Sequence, residues 1–240
     1  MEYQRRIMEY QPNQGKELII KVDGKSFARI PVKTHFITNQ DNLDDIIKKY
    51  ILEIAQPSDI VMFGQKVVAI IQNRIVYKKD IKLSFWAKYL SKFATKNPAG
   101  PAMGDPYKMQ VAINTAGLPR ILFAGATGAI AKLFGISGTF YRLAGNQVNQ
   151  IDGFCDDAFN DYLEMGVLGL KNCDKLCDEI KKKYNFSAIV ADINDIGGNI
   201  LGMSSDLKIK EKLLLQILKD NPLGQKSQST PIGIIREITN

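Results

Sequence analysis

The stretch from Cys173 to Ala191 constrains this chain more than any other. Its first part is amphipathic and predicts a helix over Cys173–Tyr184. The apolar run Ser187–Ala191 then predicts a buried strand. That strand runs straight into Asp192-Ile193-Asn194-Asp195-Ile196-Gly197-Gly198. A strand end fixes the backbone, and the glycines after it allow a sharp turn or a close approach to a ligand. Two carboxylates and the Asn194 amide are hard oxygen donors of the kind magnesium or manganese prefers. The same residues also suit an ordinary Asp/Asn-rich turn, and spacing alone leaves both readings open.

Elsewhere the chain alternates short apolar runs with capped amphipathic segments. Asp41-Asn42 precedes a stripe at Ile46, Ile47, Tyr50, Ile51 and Ile54, which predicts a capped helix. Ile60–Phe63, Val67–Ile71 and Ile75–Tyr77 predict short strands, with Gly64-Gln65-Lys66 as a polar turn between the first two. Ser84 predicts the cap of a helix carrying Phe85, Tyr89, Leu90 and Phe93. Asp105, Pro106 and Gly117 frame another helix as cap, first residue and stop. Arg120–Ala124 and Thr139–Leu143 are expected as strands, with a helix over Thr127–Phe134 between them. Asp206 is expected to cap a last helix reaching about Lys219, and Ile232–Ile238 to close as a strand. The sum is an α+β chain with mixed or antiparallel sheets and packed helices.

At 240 residues the chain is long enough to bury a substantial core without covalent staples. The Pro/Gly-rich stretch 97–106 is the expected subdomain junction, and residues 1–28 are expected as an N-terminal extension to a domain over 29–240. No signal-peptide pattern opens the sequence, and the most apolar stretch, Ile121–Ile136, is too short to span a bilayer. A cytoplasmic location and no membrane partner are therefore expected.

Three cysteines do not make a disulfide framework, and with one histidine, His35, a zinc set is hard to assemble. No Ser/His/Asp or Cys/His constellation is present. The net charge of +7 is unevenly spread: residues 51–150 hold 12 Lys+Arg against 4 Asp+Glu, and residues 151–200 hold 5 against 10. A basic segment followed by an acidic one suits an anion together with a divalent cation, although solvated faces produce the same pattern. Nucleic acid is not expected as a partner, because no recognised module accompanies the charge. Gly125–Lys132 lacks P-loop spacing and no dinucleotide fingerprint occurs. Any nucleotide must then be held by other cations, for which Lys33, Lys66 and Arg142 are candidates. A second acidic cluster, Asp152-Gly153-Phe154-Cys155-Asp156-Asp157, follows the polar run 146–150.

Several strings, taken together and in order from about Ile30 to Arg236, carry a family resemblance. They are Ser58-Asp59-Ile60-Val61-Met62-Phe63-Gly64-Gln65-Lys66, Ala144-Gly145 with Ile151-Asp152-Gly153, Val190-Ala191-Asp192-Ile193-Asn194-Asp195, and Gly224-Gln225 with Thr230-Pro231-Ile232-Gly233-Ile234-Ile235-Arg236. The chain resembles the coenzyme F420-0:L-glutamate ligases (F420 names a deazaflavin coenzyme, not a residue), in a bacterial branch. The resemblance implies an α+β fold and an intertwined homodimer. It also implies a reaction in which GTP and magnesium or manganese activate a carboxylate acceptor as an acyl phosphate, and L-glutamate then forms the amide. Carried onto this sequence, Asp152 and Asp192 would hold the metal, with Asp195 and Gln225 near it, and Lys66 would face the phosphates. Asp195 and Lys66 are the catalytic candidates; Lys33, Arg142 and Gln225 would contact the nucleotide. The chain departs from the family at Ile193, Asn73, Gln228 and Asn199. A relative that binds metal and nucleotide without catalysis, or a ligase for another small carboxylate, is the alternative.

Overall fold

The computed structural model describes residues 9–94, 102–154, 163–194, 197–224 and 228–238. In chain order it begins with strands β1 (Ile19–Val22) and β2 (Lys25–Val32), helix α1 (Leu43–Tyr50), strand β3 (Ile60–Gly64) and helix α2 (Gln65–Ile71). Strand β4 (Ile75–Tyr77), helices α3 (Phe85–Leu90), α4 (Pro106–Ala116), α5 (Leu118–Leu133), α6 (Thr139–Ala144) and α7 (Asn146–Asn149), and strands β5 (Asp152–Gly153) and β6 (Met165–Val167) follow. Helix α8 (Cys173–Tyr184), strands β7 (Ser187–Asn194) and β8 (Gly197–Met203), helix α9 (Glu211–Ile217) and strand β9 (Ile232–Ile238) complete it. The fold is mixed α+β, as expected.

The chain divides into two units. The first comprises residues 1–72 and 171–240, the second residues 73–170. The stretch 97–106 lies inside the second unit. Residues 19–28, from the stretch read as an extension, supply β1 and the start of β2 in the main sheet.

The first unit is built on a six-stranded sheet of order β1-β2-β9-β3-β7-β8. Every pairing is antiparallel except β3 with β7, which is parallel. One face carries Phe27, Met62, Ile189, Ala191 and Ile235, which pack with Leu214, Ile217 and Leu218 at α9. Each of the buried Leu, Ile, Met and Phe side chains contributes about 1.5–3 kcal/mol relative to exposure. Helix α8 packs on β7 and β8, burying Cys173, Cys177 and Ile180. Pro31 is tolerated in β2 because β1 pairs only as far as Ala28, so no partner on that side needs the missing N–H.

The second unit joins α3–α7 to an antiparallel sheet of order β4-β6-β5. Its core includes Met109, Val111, Ala112, Ile121, Ala124, Val148, Ile151 and Phe154.

The local helix signals hold where a cap marks them. Asn42 caps α1 by accepting from Asp45 N, Ser84 caps α3, and Asp105 caps α4 with Pro106 in the first turn and Gly117 ending it. Four expectations fail. Val67–Ile71 is a helix that starts at Gln65 directly after β3, and Gln65, Val67, Val68, Ala69 and Ile70 are all buried. A segment enclosed on every side leaves no period to read. Arg120–Ala124 belongs to α5, which is apolar around much of its girth, and Thr139–Leu143 is helical as well. Asp206 caps nothing: it accepts from Ser187 Oγ at 2.8 Å and pairs with Lys181 at 3.1 Å, while α9 begins only at Glu211. Gly197 and Gly198, expected to allow a sharp turn or a close approach to a ligand, are the first residues of β8.

Candidate functional site

The main sheet has one edge where β2, β3 and β7 finish and β9 starts. Its register defines the row: Val32 faces Ile232, Ile232 faces Phe63, and Phe63 faces Val190. One residue further on, Gly64 stands opposite Ala191. Lys33 therefore lies just beyond β2, Lys66 two residues beyond β3, and Asp192 one residue past that pair. Residues separated by more than a hundred positions meet at one edge because β3 and β7 are parallel neighbours.

The edge is tied together by the backbone. Gly64 N donates to Pro231 O at 3.0 Å, and Thr34 N donates to Ser229 O at 2.9 Å. Gly64 has a steric reason to be glycine: a Cβ there would lie 3.1 Å from Pro231 O. Asp192 is exposed, Lys33 is exposed and Lys66 is partly buried. Asp192 pairs with Asn199 in the β7–β8 hairpin, and Asn194 shares its side of the strand. Asn194 Oδ1 accepts from Gly197 N at 3.1 Å, which pins the hairpin close to its tip.

Asp152 and Arg142 belong to the second unit. Asp152 opens β5, its side chain half exposed, with Lys108 Nζ at 3.9 Å. Arg142 is an exposed residue of α6 whose Nη2 donates to Thr139 Oγ1 at 3.0 Å. Asp195, Gln225, Cys155, Asp156 and Asp157 lie outside the described residues. Among the described residues no group of three or more His, Cys, Asp or Glu is placed to hold a metal ion. The oxygen chemistry at the edge, one exposed carboxylate and a neighbouring amide, fits magnesium. That ion commonly takes one or two carboxylates and completes its shell with water and substrate phosphates.

The other titratable groups account for themselves structurally. His35 sits past the end of β2, with Nδ1 2.7 Å from Tyr50 Oη and Nε2 2.8 Å from Asp41 Oδ1. Asp41 also accepts from Thr38 N at 2.7 Å. That backbone bond above all holds its carboxyl below the usual range, with His35 helping. Cys173 and Cys177 are buried free thiols. Burial pushes the Cys177 thiol up to about 12, with the neighbouring Cys173, Asp174 and Asp178 adding to it, so it is a packing residue rather than a nucleophile.

Sequence reasoning missed Asn13. Its Nδ2 donates to Pro222 O at 2.8 Å and to Thr230 Oγ1 at 2.9 Å, across more than 200 residues of sequence. The available signal was the turn-forming string Pro12-Asn13-Gln14-Gly15, in which Gly15 has φ of 76° and Lys16 N returns to Asn13 O at 3.0 Å.

Among the described residues no helix is long and apolar enough to cross a membrane. No protein-family model matches the chain, and no curated protein matches it.

Proposed function

We propose that this protein is a GTP- and divalent-metal-dependent ligase. It joins L-glutamate to a small carboxylate acceptor through an acyl phosphate, and the acceptor is similar to coenzyme F420-0. The observation that carries this reading is the sheet register, which brings Lys66 and Asp192 to one edge from strands far apart in sequence. The motif resemblance had assigned those same two residues to phosphate and metal.

The chemistry needs little more than charge and alignment. Phosphoryl transfer spreads negative charge over the transferred group, and a fixed ammonium offsets it. Lys66 supplies that charge from the first turn after β3. Asp192, with Asn194 beside it, would hold magnesium or manganese, which would supply neutralising charge to the phosphates. Lys33 adds a second cation toward the nucleotide. Neither a Ser nor a Cys nucleophile is required.

The test is nucleotide turnover with manganese or magnesium, L-glutamate and a panel of small carboxylates. Asp192→Asn and Lys66→Met are each expected to lower kcat by at least about 100-fold with little change in thermal midpoint. Turnover left intact in both variants would overturn the assignment. Manganese–GTP binding without turnover on any acceptor would instead identify a relative that keeps the ligands without the reaction.

We further propose a homodimer formed through the second unit. Supporting it, Phe85, Phe93, Leu133 and Phe134 are each 71% exposed or more, with Phe123 and Ile130 above half. Large apolar side chains left exposed in such number on one unit favour a covering partner.

A further inference from the structure

The N-terminal segment before β1 is tied to the same sheet edge. Asn13 bonds the carbonyl of Pro222 and the hydroxyl of Thr230, and Thr230 Oγ1 passes the connection on to Leu223 O at 2.7 Å. Lys16 Nζ donates to Asp220 O. Asn221 adopts a φ of 52° and Gly224 one of 74°, and Asn221 Nδ2 closes the turn on Gly224 O at 3.1 Å. Both legs of the segment linking α9 to β9 are thus held by one carboxamide. The second leg continues directly into Pro231, whose carbonyl accepts from Gly64 N, two residues before Lys66.

We infer that Asn13 is a positioning residue for the ligand site at this edge, acting through Thr230 and Pro231 on the turn that carries Lys66. The inference rests on the functional reading above. The donor geometry makes it specific. Pro222 O can only accept, so the side chain at position 13 must donate to it, and the two N–H groups of a primary amide serve both partners at once. A carboxylate of the same shape has no proton to give to Pro222 O. Losing the clamp frees the Thr230–Pro231 leg while leaving the sheet register and core untouched. The affected quantity is therefore the placement of Lys66 relative to Asp192, which binding reads more directly than folding does.

The experiment titrates the full chain with manganese plus GTP by calorimetry, and records thermal midpoints in parallel. Asn13→Ala and Asn13→Asp are both expected to weaken manganese–GTP binding by about tenfold, the scale of one or two lost hydrogen bonds. Ser204→Ala provides the comparison for lost stability alone. Ser204 Oγ accepts from Ala188 N at 2.8 Å in a buried setting near the opposite end of β7. It is expected to lower the thermal midpoint and leave binding unchanged. Binding by Asn13→Asp equal to that of the unsubstituted chain would overturn the inference, as would an equal loss in Ser204→Ala. If the unsubstituted chain binds no manganese–GTP, the ligase reading itself falls and takes this one with it, a result distinct from either of those.

Discussion

At the scale of single residues, the most consequential pair is Asp59 with Arg236. Asp59 is fully buried and Arg236 nearly so. Arg236 Nε and Nη2 donate to the two carboxylate oxygens at 2.8 and 2.6 Å, and Nη2 also reaches Ile54 O at 2.8 Å. This bidentate pair fastens the start of β3 to β9. Asp59→Ala leaves a buried guanidinium without its carboxylate and is expected to cost about 3–5 kcal/mol. Urea denaturation would measure that loss, and adding Arg236→Met should recover much of it, since a buried ion pair is often replaceable by apolar residues.

Asp220 gives the protein an acid dependence. Burial would raise its carboxyl, but the Arg29 guanidinium bonded to it more than compensates, with Nη2 to Oδ2 at 3.0 Å, and holds it below the usual range. A carboxyl lowered on folding stabilises the folded state above its unfolded pKa, and that stabilisation disappears as the pH falls through the folded value. The unsubstituted chain should lose stability as the pH falls below about 4, and Asp220→Asn should lose less over the same range. Chemical denaturation at several pH values would show the difference, and parallel curves would refute the assignment.

Among the elements, α8 packs closely against β8. Gly202 lies against the start of the helix, where an added Cβ would strike the Cβ and carbonyl carbon of Cys173 and come within 2.7 Å of Asp174 N. Backbone cannot yield as a flexible side chain does, so Gly202→Ala is expected to destabilise the first unit by roughly 2–4 kcal/mol. A shift in the urea midpoint of less than about 0.5 kcal/mol equivalent would contradict the close packing. The same hairpin carries Asp192, so if Asp192 holds the proposed metal, the affinity should weaken along with stability.

Elements with a chemical punctuation mark were readable from the sequence. Asn42, Ser84 and Asp105 each accept from a backbone N–H three residues on, a local interaction that three or four residues define by themselves. The amphipathic Cys173–Tyr184 is a helix over that same span. Arg120–Ala124 and Val67–Ile71 carried no such mark, and their apolar runs suit a strand or an enclosed helix equally. Strand β8 was hidden by its two opening glycines, and β2 by the buried Arg29 and by Pro31, a residue unusual inside a sheet.

For the whole molecule, the second unit's exposed apolar side chains carry the prediction. If a second copy covers them, sedimentation should give a dimer mass, and Leu133→Asp together with Phe134→Asp should convert it to monomer without unfolding the chain. A monomer in the unsubstituted protein at micromolar concentration would refute the proposed homodimer. Circular dichroism of the double variant separates dissociation from misfolding.

The sequence by itself determined the α+β character, the capped helices, the strand Ser187–Ala191 with acidic and amide residues at its end, and the chemical types offered as ligands. These follow from interactions within a few residues, or from a periodicity carried along one element. Only the tertiary structure decided that β3 and β7 are parallel neighbours, which brings Lys66 and Asp192 to one edge, and that Asn13 reaches Thr230 across the length of the chain. Strand order and register arise from pairings between distant segments, whose energies depend on the assembled sheet and its packed faces, and no short window of residues contains them.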